Sequence, residues 1–331
     1  MSPSSTYSYY STENPWDETV NLGYYYQSSG GSIFYASFAF DALTFLALVG
    51  FLAWACTIRV SSRALKSIIA ALALWMISQL LYVIWEILIL SDATVKNYYV
   101  IIFMLQDLFG VISTCLLFLA FYQIIHKLLN RLTDTGSPYT AVRIVHWVAL
   151  GLVSALSIAE WAVYVAVNVY SVEIVSLSYR FYDRFARNYD RLYSARVIVY
   201  FIMACEIFMW TIFVTVKAGT QRFVSRTPLF SLIAASLCWF GYNLMYGVYA
   251  IVYDLMFSSG ALAAEIIESV FQFVFVVGIF LGLLFCISGW YRLDENHAKA
   301  PTSVQPHDAQ LQVPYPQQPY QQQGPVFHPQ P

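Results

Sequence analysis

Seven apolar runs constrain this chain more than any other feature. They fall at residues 33–58, 65–90, 98–125, 142–170, 195–216, 228–256 and 261–287. Each reaches the roughly 20 residues that a helix needs to cross the hydrocarbon of a bilayer. A length of 331 residues would otherwise suggest two soluble domains, but a chain that is 59% hydrophobic and 11% charged cannot keep two globular surfaces wet. The expected fold is all-α, a polytopic seven-transmembrane-helix bundle over residues 33–290 with the lipid bilayer as its first partner. The runs are numbered helix 1 to helix 7. A net charge of −2, with no zinc-finger or phosphate-loop spacing, gives no reason to expect nucleic acid. All five cysteines lie inside apolar runs, so none is placed to staple an exposed loop.

Basic residues set the expected orientation. Arg59, Arg63 and Lys66 lie between helices 1 and 2, Lys127, Arg131 and Arg143 flank the loop between 3 and 4, Lys217, Arg222 and Arg226 lie between 5 and 6, and Arg292 and Lys299 follow helix 7. Those connections belong in the cytoplasm, which puts the N-terminus outside, most naturally at the plasma membrane. Residues 1–32 hold Ser, Tyr, Gly and acids with no Lys or Arg and read as a disordered outer tail. The first apolar run starts too late and runs too long for a signal peptide, so it is expected to stay. Residues 291–331 turn rich in Pro and Gln and read as a disordered cytoplasmic tail of polyproline character, open to adaptor or signalling proteins.

One outer connection defies the pattern. After helix 4 come Arg180, Arg184, Arg187, Arg191 and Arg196. The first four recur at helical spacing beside Phe181, Phe185 and Leu192, which describes an amphipathic helix: an interface anchor, an extension of helix 5, or a basic lid.

A motif occurs twice. Trp75, Gln79, Tyr82 and Glu86 step along helix 2 by four, three and four residues, and Trp239, Asn243 and Tyr246 repeat the pattern on helix 6. Each set forms one stripe on a helix. Polar groups against lipid cost several kcal/mol, so both stripes are expected to face inward. A shift of about 164 residues aligns the two copies, and nearly the same shift relates Asp41 to Glu206 and Asp107 to Glu268. This suggests two parallel three-helix repeats joined by helix 4.

Acids inside the runs complete the picture. Asp41, Glu86, Asp107, Glu160, Glu206, Glu265 and Glu268 each lie roughly 5–16 Å from the outer boundary of their run at 1.5 Å per residue. Gln272 follows Glu268 by four residues and extends the band, and no Lys or Arg shares its depth as these boundaries fall. Seven dry, ionised carboxylates are not tolerable in a bilayer, so the band must be protonated, hydrated or holding a cation. The expected ligand-binding set is thus Glu86, Asp107, Glu160, Glu206, Glu265, Glu268, Gln79, Tyr82, Asn243, Tyr246 and Gln272, with Arg180, Arg184, Arg187 and Arg191 as the lid. His126 and His146 sit at the inner ends of their helices, away from the band, so neither a metal site, a cofactor nor an enzymatic constellation is expected.

Seven helices, an outer N-terminus, short loops and a Pro/Gln-rich tail make the chain resemble the receptor-like seven-helix membrane proteins of filamentous fungi. The resemblance is one of architecture. Helix 3 ends Phe121-Tyr122-Gln123-Ile124-Ile125 without an acid-Arg-Tyr switch, and helix 7 has neither Asn-Pro-x-x-Tyr nor a Lys for retinal. The resemblance implies a receptor or sensor for a small polar or cationic ligand. The alternative from another class is a carrier of protons, metal cations or amines through the same band. A cavity closed below the acids favours the first, a polar path to the inner face the second.

Overall fold

The computed structural model describes residues 14–22, 32–58, 62–132, 140–173, 179–219, 226–251 and 262–299. Seven helices carry the fold: α1 (Ser32–Thr57), α2 (Arg63–Leu90), α3 (Val100–Leu132), α4 (Thr140–Glu173), α5 (Tyr179–Gly219), α6 (Arg226–Tyr249) and α7 (Leu262–Lys299). All seven are long and apolar enough to cross a membrane. The chain is an all-α, multi-pass bundle, as its runs predict. Each helix packs on its neighbours in sequence and α7 returns to α1, so the helices form a closed ring, with α3 also touching α5 and α2 touching α7. The near face is where α1, α3, α5 and α7 begin, and the far face is where they end.

Local chemistry fixes the ends. Ser62 caps α2 by accepting a 3.1 Å hydrogen bond from Leu65 N. At the other end Asp92 takes φ 52°, and Asp92 N and Ala93 N donate back to Ile89 O and Leu88 O, a turn that an Asp side chain tolerates. Between α6 and α7 the backbones nearly touch. A Cβ on Gly282 would stand 2.7 Å from Ser231 O and 2.8 Å from Ala235 Cβ, neither of which can swing away. Gly282→Ala is therefore expected to destabilise the bundle by about 1–3 kcal/mol. Gly50→Ala, where a Cβ meets nothing within 4 Å, should leave it unchanged. Denaturation in mixed detergent micelles compares the two.

Two segments differ from the sequence expectation, and a third selects among the readings it offered. Residues 14–22 form regular structure, although they fall in the stretch read as a disordered tail. A 3-10 turn, Pro15–Asp17, leads into β1 (Thr19–Asn21), which pairs antiparallel with β2 (Thr94–Lys96) in the register Thr19↔Lys96, Val20↔Val95, Asn21↔Thr94. Asn97 Nδ2 donates to Pro15 O at 2.8 Å, Trp16 stacks on Tyr98, and Leu22 is buried. A strand of three residues is too short to leave a periodic signal; its partner supplies the order. Lys96 Nζ donates to Asp17 Oδ1 at 2.7 Å, which raises the ammonium above its usual pKa, although so exposed a pair adds little stability. Residues 1–13 and 23–31 lie outside the described residues. α7 runs beyond the expected boundary at 290 to Lys299; residues 300–331 are not described. α5 begins at Tyr179, so of the readings offered for the arginine-rich stretch the extension of helix 5 is the one found.

Candidate functional site

Below the near face the ring encloses a cavity of about 440 Å³, walled by every helix except α4. Both stripes face it. Trp75, Gln79, Tyr82 and Glu86 line it from α2, Asn243 and Tyr246 from α6, and Trp239 lies fully buried with its ring stacked at 5.8 Å on Tyr242 of the wall. Asn243 Nδ2 donates to Trp239 O at 2.8 Å, a local bond that satisfies the amide inside the bundle.

Asp41 anchors the wall where α1, α2 and α7 meet. Its Oδ1 accepts from Gln79 Nε2 at 3.0 Å, and its Oδ2 accepts from Ser269 Oγ at 3.2 Å and Ser37 Oγ at 3.5 Å. The two serine hydroxyls also lie within hydrogen-bond distance of each other, so Ser37, the farther from Asp41, shares its one proton between Ser269 Oγ and Oδ2. The chain continues as Gln272 Nε2 donates to Gln79 Oε1 at 3.2 Å and Tyr246 OH donates to Gln272 Oε1 at 3.4 Å. Four helices are thus tied through one carboxylate whose oxygens are already supplied with donors.

Glu86 is the opposite case. It is 1% exposed and lines the cavity, and neither carboxylate oxygen has a hydrogen-bond donor. Asp107 Oδ2 is likewise buried without a donor. A buried acceptor left unmet costs about 1–3 kcal/mol, more when charged, so these atoms mark where something polar belongs.

Arg196 lines the wall opposite, on α5. Its Nη2 lies 3.6 Å from Oε1 of Glu160, an α4 residue that is wholly buried behind the wall, and its Cζ lies 5.2 Å and 5.4 Å from the ring centres of Tyr193 and Tyr200. The expectation that no base shares the depth of the acids is therefore corrected: a run drawn from residue 195 put Arg196 at its outer edge, whereas the helix starts at Tyr179 and carries Arg196 down to the cavity. The phase carried the signal. Arg196 stands five positions beyond Arg191, about 140° round the helix, and so off the face of the other arginines. Arg187 and Arg191 are exposed and do not line the cavity, and the side chains of Arg180 and Arg184 lie outside the described residues.

Glu206 does not belong with the others. It lies ten residues beyond Arg196, about 80° off that face, and turns toward α3 and α4 lower in the bundle. There Tyr122 OH donates to Glu206 Oε2 at 2.9 Å, His146 Nε2 lies 3.0 Å from Oε1, and His146 Nδ1 lies 2.8 Å from His126 Nε2. The rings of Tyr122, His146 and His126 stack in sequence. The histidines expected to be remote from the acids thus hold one of them. The clue lay in their position, at the far ends of two consecutive antiparallel helices. Among the described residues no group of three or more His, Cys, Asp or Glu side chains is arranged to hold a metal ion.

Of the expected ligand set, Glu86, Asp107, Glu268, Gln79, Tyr82, Asn243, Tyr246 and Gln272 line the cavity; Glu160 stands behind it on Arg196, Glu206 is elsewhere, and the Glu265 side chain is not described. Directly beneath the cavity comes a layer of apolar side chains, with the Glu206–His146–His126 cluster, Ser67 and Thr211 as polar groups farther toward the far face. Phe118 and Phe121 pack on Trp239 at 5.1 Å and 6.3 Å, Trp75 packs on Phe280 at 6.0 Å, and Leu72, Leu117, Ile207, Ala235 and Ile279 are fully buried around them. No family model matches the chain, and neither a curated protein nor a solved structure matches it.

Proposed function

We propose that this chain is a receptor-like sensor of the plasma membrane, with its N-terminus outside, that takes a small polar or cationic ligand into the cavity below the near face. The observation that carries the reading is a ligand-sized cavity with unmet acceptors on its wall, closed beneath by an aromatic floor. A binding pocket needs such a floor, whereas a carrier needs polar groups continuing to the other face. Occupancy would be read through the walls: a ligand that pulls α2, α5 or α6 inward shifts their far ends, where the basic connections and the Pro/Gln tail meet cytoplasmic signalling or adaptor proteins. Arg180, Arg184, Arg187 and Arg191, at the start of α5, serve as the lid of the entrance in this reading.

Reconstituted into liposomes, the protein is expected to give no uptake of protons, sodium or methylammonium above that of empty vesicles. Uptake abolished by Glu86→Gln would establish transport and overturn the sensor. A C-terminal tag that protease reaches on intact cells would reverse the orientation.

A further inference from the structure

The cavity has one wall that needs a donor and one that does not. On the Arg196 wall the guanidinium already faces Glu160 and lies over the rings of Tyr193 and Tyr200, with its buried Nε lacking a hydrogen-bond partner. An anionic ligand there would compete with a buried carboxylate. Across the cavity, Glu86 stands beside Asp41, whose oxygens are occupied by Gln79, Ser37 and Ser269. Glu86 has none of these donors. The unmet requirement is for N–H or O–H groups, and with two carboxyl groups side by side a donor that carries positive charge fits best.

Two observations narrow the class. No cluster of ligating side chains suits a metal ion among the described residues, and a bare ion would leave most of about 440 Å³ unfilled. The walls between the polar groups are aromatic, with Trp75, Tyr82, Tyr242 and Tyr246 all lining the space. Ring faces attract organic cations and cover their apolar parts. From this geometry we propose that the ligand is a protonated organic amine bearing N–H groups, its ammonium on Glu86 and its carbon body against the rings of α2 and α6. The proposal rests on the sensor reading for the cavity being a binding site, and it adds the ligand's class.

The test uses the full chain in lipid nanodiscs and calorimetric titration with methylammonium, butane-1,4-diamine and 2-phenylethylamine. At least one is expected to bind. Its N-trimethylated counterpart should bind more weakly by about tenfold or more, because it cannot donate to Glu86, and Glu86→Gln should lower affinity by a similar factor, the loss of one charge-assisted hydrogen bond. The Gln variant keeps the shape of Glu86 and removes an unmet charge, so it should fold; an unchanged thermal midpoint confirms that. Arg63→Gln, on the far face, should bind like the wild type. Binding by none of the three amines, equal binding of the trimethylated form, or undiminished binding by Glu86→Gln would overturn the proposal. The uptake assay separates the two failures: no binding with no uptake refutes the amine and leaves the sensor standing, while uptake refutes the sensor.

Discussion

Arg196→Met is expected to lower the stability of the bundle by about 3–5 kcal/mol, the usual consequence of stripping one partner from a buried ion pair. Glu160 is wholly buried, its oxygens have no hydrogen-bond donor, and Arg196 at 3.6 Å is its ion-pair partner. Met fills most of the space of the arginine stem but leaves that carboxylate uncompensated, and it gives up the cation contacts over Tyr193 and Tyr200. Adding Glu160→Leu should recover most of the loss, since replacing both members of a buried pair by apolar side chains is often close to neutral. Unfolding in mixed micelles decides it. If the double variant is no more stable than Arg196→Met, the pair is not what holds this contact.

The helices were readable because each expresses itself over some 20 apolar residues, a signal too long to arise from local accident. The stripes on α2 and α6 were readable for a related reason. A bilayer leaves a Gln or Glu few places to point, so spacing alone turned Gln79, Glu86 and Asn243 inward. What failed was the placement of single charges. Hydropathy falls where arginines crowd, so α5 seemed to start at 195, and Arg196 was grouped with residues on another face. Glu206 shows the converse: its distance along the helix matched the band, but depth without phase does not say which neighbour a side chain meets. The order of residues 14–22 depends on a partner strand more than 70 residues away, beyond the reach of any local pattern.

His146→Phe is expected to destabilise the protein by about 2–3 kcal/mol, the combined loss of the hydrogen bond to His126 and of the close contact with the Glu206 carboxylate. Phe retains the flat ring that stacks on Tyr122 at 4.2 Å, so the loss isolates the polar contacts with Glu206 and His126. The position of α4 makes those contacts matter. This helix contributes nothing to the cavity wall and turns Ile144, Val145, Trp147, Val148, Leu152 and Ile158 outward. Against lipid such residues supply no hydrophobic force toward the bundle, and helices are held by packing and by hydrogen bonds. α4 has polar links at both levels: Glu160 to Arg196, Ser157 to Tyr200 and Trp161 Nε1 to Met104 O nearer the cavity, and His146 to Glu206 and His126 toward the far face. If the lower cluster clamps α4 to α3 and α5, Glu206→Gln should partly rescue His146→Phe, because it removes the charge that the imidazole no longer meets. A double-mutant cycle measures this coupling, and strictly additive effects would mean that Glu206 and His146 are neighbours without being energetic partners.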